Sequence, residues 1–308
     1  MLMISAIKQC QVFSRRFGIF KAFKLFYFLY YGKFKKFNID INKERIAKIK
    51  TGYDILVMPN DSGISLELSV YGIHEPITTK IISKKLKKGM VCVDIGANIG
   101  YYALLESKII GSTGKVIAIE PAPNTFNYLE KNLKYRHQSK FQTHNFACSD
   151  IDATSNFLIN EKSNISKIVN ESDTILDGTK KILVKTKKLD TILLENENQI
   201  DFIRMDIEGN ELKVILGAKN IIKKFKPIIQ TEIHSKILGM SQTKSLLEFF
   251  KDQNYEITSF MIRELDEPKI GSMKDINEKY KIEDLFDLLD SDLFPPYVQV
   301  FFEPKLSN

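Results

Sequence analysis

The chain has 308 residues, 44% of them apolar and 27% charged, enough to bury one α/β core of ordinary size with an extension. Its net charge of +7 is unevenly placed: residues 1–50 hold twelve Lys and Arg against two acids, whereas residues 51–308 hold 33 against 36. That balance argues against a nucleic-acid surface on the main body, and Cys10, Cys92 and Cys148 lack the spacing of a zinc site or a disulfide framework, which points to a reducing, cytoplasmic setting.

In chain order, the first 37 residues interleave aromatics with cations. Phe13, Phe17, Phe20, Phe23, Tyr27 and Tyr31 follow a helical spacing, but Ile19, Phe26 and Leu29 cover the opposite side, so the helix is not one-sided. The run from Phe17 to Tyr31 contains two lysines and falls short of the roughly twenty apolar residues a membrane crossing needs. No small-residue cleavage site follows it. Residues 1–50 therefore read as a basic, helical arm packed on the main domain or on a second subunit. The alternative for residues 1–37 is peripheral contact with an anionic membrane face. Residues 51–308 read as a single domain.

Within that domain, Val91 to Ile95 is an apolar run too short for a helix, stopped by glycine, and Tyr101 to Ile110 carries helical spacing as far as Gly111. Val116 to Ile119 is the second strand, so this stretch is a βαβ unit. The turn between strand and helix reads Asp94-Ile-Gly96-Ala-Asn98-Ile-Gly100, and the second strand ends in Glu120. Gly96 and Gly100 allow a sharp turn and a close approach to a ligand, because a Cβ there would occupy the ligand's space. Glu120 is placed to accept hydrogen bonds from a ribose diol.

A nicotinamide site normally shows G-x-G-x-x-G with a pyrophosphate on the helix N-terminus. Here an acid precedes the first glycine and Asn98 replaces the second, which suits the ammonium and sulfonium of S-adenosylmethionine better than a pyrophosphate. A nicotinamide oxidoreductase and a catalytically silent S-adenosylmethionine-binding module are the two rival readings.

Further along, Asp150 to Leu189 is rich in Asn, Ser, Thr and Lys with two short alternating stretches, and reads as a surface hairpin rather than a substrate arm. Ile200 to Met205 is a strand running into Asp206-Ile-Glu208-Gly209-Asn210-Glu211, and Lys226 to His234 contains the next. Helix over Lys244 to Asp252, strand over Tyr255 to Met261 and a last strand over Tyr297 to Phe302 complete a seven-stranded, mostly parallel, doubly wound sheet whose final hairpin is antiparallel. Arg263 to Ser291 reads as a loop with a short helix near the acceptor site. Phe294-Pro-Pro-Tyr297 is no base-methylation motif, since Phe294 stands where Asp or Asn is needed and the motif lies at the wrong end of the chain.

Taken together, Asp94-Ile-Gly-Ala-Asn-Ile-Gly-Tyr-Tyr, Ile119-Glu120-Pro121, Leu189-Asp190-Thr191, Met205-Asp206-Ile-Glu208-Gly209-Asn-Glu211 and Glu232-Ile-His234 closely resemble the FkbM family of S-adenosylmethionine-dependent methyltransferases, from about Gly72 to His234. The resemblance implies a Rossmann-like class I methyltransferase fold. It also implies metal-free methylation of hydroxyl oxygens on sugars, glycans, glycolipids or related natural products. By matching positions it places Asp94, Gly96, Asn98 and Gly100 around the methionyl part, Glu120 on the ribose and Asn145 near the adenine, with Glu75 a further cofactor-side position. Asn210 and His74 depart from the usual pattern.

Methyl transfer to oxygen needs a hydroxyl held in line with the sulfonium methyl and relieved of its proton. Asp206, Glu208 and His234 emerge at the carboxyl ends of strands, where ligands lie in such sheets, and are the catalytic candidates. If the strand stays extended, Asp206 and Glu208 alternate and face different ways. His234 is as readily a structural histidine as a base. Glu211 reads as a cap or salt-bridge residue of the following helix, His74 as a lesser candidate for substrate contact, and His137 and His144 as surface and strand residues.

Overall fold

The computed structural model describes residues 14, 18–24, 26–27, 39–160, 162–169, 179–268, 270–278 and 280–305. Its strands are β1 (Arg45–Ile49), β2 (Tyr53–Val57), β3 (Val91–Ile95), β4 (Lys115–Ile119), β5 (Lys140–His144), β6 (Ala147–Cys148), β7 (Ala153–Asn160), β8 (Lys167–Val169), β9 (Thr179–Lys187), β10 (Phe202–Met205), β11 (Ile228–Ile233), β12 (Tyr255–Ile262) and β13 (Val298–Pro304). The helices used below are α1 (Ile64–Tyr71), α2 (Pro76–Lys85), α3 (Tyr101–Ile110), α4 (Pro123–Arg136), α5 (Leu189–Leu193) and α6 (Glu211–Gly217).

Seven strands form the central sheet in the order β12-β13-β11-β10-β3-β4-β5. The β11, β10, β3, β4 and β5 neighbours pair in parallel, and β13 runs antiparallel to both β11 and β12. The chain thus has the Rossmann-like class I methyltransferase fold. Period-two alternation decides which face each side chain covers: Val93, Ile95, Ile117 and Ile119 join one core layer, while Cys92, Val116 and Ala118 join the other. Both faces are covered, so the central strands carry unbroken apolar runs.

The carboxyl ends of β3, β4 and β10 lie side by side, and chain reversals open there. Gly96 has φ +76, and a Cβ on it would lie 2.2 Å from the Asp206 carbonyl oxygen. At Gly100, φ +94, a Cβ would meet Leu129 at 2.9 Å. Both glycines therefore also admit neighbouring protein, a reason for their presence beyond the close approach to a ligand.

Two expectations are revised. The boundary at residue 50 cuts a β-hairpin, since β1 pairs antiparallel with β2 from Arg45↔Val57 to Ile49↔Tyr53. Asn132, buried on α4, clamps that hairpin: its side chain accepts from Leu56 N at 2.8 Å and donates to Leu56 O at 2.9 Å. Ala47 and Ile49 alternate with Lys48 and Lys50, and the lysines made the strand read as part of the arm. The Asp150–Leu189 insertion supplies three strands, β7, β8 and β9, to a separate four-stranded sheet completed by β6, instead of a lone hairpin.

Most of the aromatic arm lies outside the described residues. Residues 19–24 and 26–27 are helical; Ala22 is buried and Lys21 pairs with Asp275, while Phe20 and Phe23 are 83% and 69% exposed. Among the described residues no helix is long and apolar enough to cross a membrane.

Candidate active site

A cavity of about 800 Å³, counting space open to solvent, lies over the carboxyl ends of β3, β4 and β10. Gly96, Asn98 and Glu120 line one wall, and Phe146, Phe157 and Ile168 make an apolar end. The Glu120 carboxylate accepts from the backbone N–H of Asn98 at 3.0 Å and of Ala122 at 2.8 Å. Burial pushes its pKa up to about 7, against the pull of those two donors. Each oxygen keeps a free lone pair for a further donor.

Asp94, Gly100 and Asn145 do not line this cavity. Asp94 is fully buried behind it, and Arg204 Nη1 donates to its Oδ1 at 3.1 Å. Asn145 turns back, donating to the carbonyls of Glu120 at 2.8 Å and Pro121 at 3.1 Å, so it braces the loop after β4. Gly100 caps α3.

The insertion covers the cavity. Ser163 donates to Asp61 at 3.0 Å and to the Asn98 side chain at 3.2 Å, and Phe157, Ser166 and Ile168 join the lining. Read from sequence as a surface hairpin, this segment is tied to the turn after β3 through Ser163.

Next to the cavity is a polar chamber of about 680 Å³, lined among others by Glu75, Glu232, His234, Arg263 and Tyr297. Asp206, Glu208 and His74 line both spaces. The β10 strand stops at Met205, and Glu208 and Gly209 take φ of 51 and 95. That reversal brings Asp206 and Glu208 to the same place: Asp206 Oδ1 and Glu208 Oε2 lie 4.0 and 3.5 Å from His234 Nε2. The expectation that they face apart assumed an extended strand that ends one residue too early to hold.

Glu75, expected on the cofactor side, lines the chamber and not the cavity over β3, β4 and β10. It accepts from Tyr102 Oη at 2.7 Å and from Gln299 Nε2 at 3.0 Å, with Arg263 Nε at 2.9 Å. Burial pushes its pKa up, but His74, Arg263 and Arg204 outweigh it and hold the carboxyl at about 2. His74 is held at about 9, burial lowering it and Glu67 and Glu75 raising it more.

His234 is 2% exposed, with Nδ1 2.6 Å from Glu211 Oε1. Burial lowers its pKa, but the Glu211 hydrogen bond and the charges of Glu232, Glu211 and Glu208 raise it to about 10. Burial also pushes Glu208 and Glu232 upward. Glu211, read as a cap or salt-bridge residue, is fully buried on α6 and makes its ion pair with this imidazole, which it orients.

Sequence reasoning missed Arg204 and Arg263. Arg204 bridges Asp94 and Asp206, at 3.1 and 3.0 Å, and stacks over Tyr102 with its guanidinium carbon 4.0 Å from the ring centre. A lone cation inside an apolar strand was the signal for it. Arg263 opens a segment that read as loop, and only the packing of that loop onto Glu75 gives it a role.

A family model described as the methyltransferase FkbM domain matches residues 94–257, more than half of the chain. The chain belongs to this FkbM family. Methyltransferase 1 of Beauveria bassiana is 29% identical over 143 residues, covering 41% of this chain and 57% of that protein. The hexuronic acid methyltransferase AglP of Haloferax volcanii is 24% identical over 180 residues, covering 55% and 66%. The FkbM chain thus spans less than two thirds of either relative's length. Among solved structures, an FkbM methyltransferase from Methylobacillus flagellatus superposes with a TM-score of 0.40 at 17% identity, over 76% of this chain and 52% of that one.

Proposed function

We propose that this FkbM-family protein is a cytoplasmic S-adenosylmethionine-dependent O-methyltransferase whose acceptor is a hydroxyl of a sugar, glycan, glycolipid or related natural product. One observation carries the reading: Asp206 and Glu208 line both the cofactor cavity and the polar chamber, so the two spaces meet at a pair of carboxylates. S-Adenosylmethionine, when bound, supplies an electrophilic methyl on sulfur. The residues present suit it, because a buried carboxylate with free lone pairs at Glu120 and an apolar end at Phe146 and Phe157 match a ribose and an adenine.

The chain's own part is to hold the acceptor and take its proton. Glu208 is positioned for the proton, since it stands at the junction and its carboxylate accepts no hydrogen bond among the described residues. Alignment supplies the larger share of the rate. A chamber rich in carboxylates with Arg263 and His74 among them suits a polyhydroxylated acceptor, and the name of the Haloferax relative, a hexuronic acid methyltransferase, supports a sugar. The buried free thiols of Cys92 and Cys148 suit a reducing compartment.

The test is formation of S-adenosylhomocysteine against a panel of sugar glycosides and glycolipids. Glu208→Ala is expected to lose about 100-fold or more in turnover, with affinity for S-adenosylhomocysteine within about twofold of wild type. Unchanged turnover would overturn the assignment.

A further inference from the structure

The chamber holds an arrangement that proton transfer alone does not require. Glu211 Oε1 accepts from Gly209 N at 3.0 Å and lies 2.6 Å from His234 Nδ1, which fixes the hydrogen on Nδ1 and turns Nε2 into the chamber. His234 is 2% exposed, yet Nε2 makes no hydrogen bond among the described residues. Around it stand Glu208 Oε2 at 3.5 Å, Glu232 Oε1 at 3.8 Å and Asp206 Oδ1 at 4.0 Å.

Two of those carboxylates are tethered from behind. Arg204 Nη2 lies 3.0 Å from Asp206 Oδ2, and Gln299 Nε2 donates to Glu232 Oε2 at 3.1 Å. Their other oxygens are thereby turned toward Nε2, at 4.0 Å for Asp206 Oδ1 and 3.8 Å for Glu232 Oε1. A metal ion at that point would take the place of the Nε2 proton that the surrounding carboxylates otherwise favour.

The spacing fits one. One ligand atom each from Asp206, Glu232 and His234 lies within 4.8 Å of the others. Bonds of about 2.0–2.2 Å to a central ion set ligand atoms roughly 3–4.4 Å apart across a tetrahedral or octahedral shell. A histidine whose other nitrogen is held by a buried carboxylate is the usual outer support of a metal-binding imidazole.

We propose that Asp206 Oδ1, Glu232 Oε1 and His234 Nε2 bind a divalent cation of intermediate softness, Mn²⁺ or Zn²⁺, whose open positions face the acceptor. The donor set, one imidazole and two carboxylates, selects such an ion over Ca²⁺. A hydroxyl bound to the cation is more acidic and is fixed in place, which divides the work: the cation holds the oxygen and Glu208 stays outside the ligand set. The inference uses the acceptor chamber of the proposed function and departs from the metal-free reaction that the family resemblance implies.

The experiment starts from full-length protein stripped with a chelator and titrated with Mn²⁺ by electron paramagnetic resonance. About one saturable ion per chain is expected, weakened roughly tenfold or more by Glu232→Gln or His234→Ala, in proportion to the loss of one of three ligands. In ¹⁵N-histidine spectra of the wild type, Zn²⁺ should shift Nε2 of His234 while Nδ1 keeps its proton, a readout that needs no variant to fold. No saturable Mn²⁺ binding, or an unshifted Nε2, overturns the cation site. S-Adenosylhomocysteine is titrated in parallel: if it binds while Mn²⁺ does not, the cation inference fails alone, and if Mn²⁺ binds while it does not, the cation site stands and the cofactor reading fails.

Discussion

Replacing Glu120 with Gln isolates the ribose contact from the rest of the pocket. The carboxylate already accepts two backbone N–H groups and offers one further lone pair per oxygen to the cofactor diol. Hydrogen bonds to a charged acceptor exceed neutral ones by about 1–1.5 kcal/mol each, so Glu120→Gln should weaken S-adenosylhomocysteine binding by about 2–3 kcal/mol, roughly 30- to 150-fold in Kd. The fold should tolerate the change. Raising this carboxyl from 4.5 to about 7 means the folded protein binds the proton more tightly than the unfolded chain. Stability therefore falls as pH rises from about 4.5 to 7, by about 3 kcal/mol in all. Glutamine removes that cost and leaves one backbone donor facing an amide N–H, at about 1–3 kcal/mol, so the two changes nearly cancel.

The same pKa gives a pH signature. The diol needs the ionised carboxylate, so wild-type affinity should rise about tenfold from pH 6 to pH 8 and then level, whereas the Gln variant should be flat. Isothermal titration calorimetry reads both. A folded Glu120→Gln protein that binds as tightly as wild type, or a wild type whose affinity falls as pH rises, would refute the reasoning.

Other expectations follow from single contacts. Gly96→Ala forces a Cβ to within 2.2 Å of the Asp206 carbonyl at a positive φ, and should cost at least about 2 kcal/mol in thermal unfolding; a Tm equal to wild type would contradict the packing. Arg204→Met strands Asp94 and Asp206, and urea unfolding should show a loss of about 3–5 kcal/mol, whereas a loss under about 1 kcal/mol would mean the buried pair is not what holds β10 to β3. Ser163→Ala removes the hydroxyl's contacts with Asp61 and Asn98 while the backbone N–H of residue 163 stays on Asp61, and should speed S-adenosylhomocysteine dissociation several-fold in stopped flow, at about 1 kcal/mol for the lost contacts; an unchanged rate would leave the hydroxyl a bystander. Deleting residues 1–37 should abolish sedimentation with anionic liposomes if Phe20 and Phe23 meet lipid, and undiminished sedimentation would exclude this arm as a membrane contact.

The parts of this molecule that were legible in the sequence are those governed by local chemistry. The β3-turn-α3 unit declares itself because a buried strand, two positive-φ glycines and an acid at the end of β4 each leave a residue-level mark. The seven strands of the sheet and its antiparallel final hairpin follow from apolar runs and the chain's resemblance to its family. What stayed hidden depends on long-range packing. A salt bridge from Glu211 was expected, but nothing local says that its partner is His234, 23 residues away. Arg263 meets Glu75 across 188 positions of sequence, and the insertion reaches Asn98 through a single serine. Gly96 shows a subtler limit: the residue type was legible, but one reason for it is the carbonyl of Asp206, which only the folded sheet brings near. Asp94 likewise keeps its place in the motif while its partner, Arg204, is brought to it from β10.

The central claim is that a methyl group passes from a sulfonium in the Glu120 cavity to an oxygen at Asp206 and Glu208. The most direct measurement is ¹³C NMR of the products formed from S-adenosylmethionine labelled at the methyl carbon, with neutral and acidic sugar glycosides and glycolipids as acceptors. The account predicts that the label appears as an O-methyl ether and that Glu208→Ala removes the signal. Label on nitrogen or carbon, or no transfer from a protein that instead binds and oxidises NADH, would contradict it.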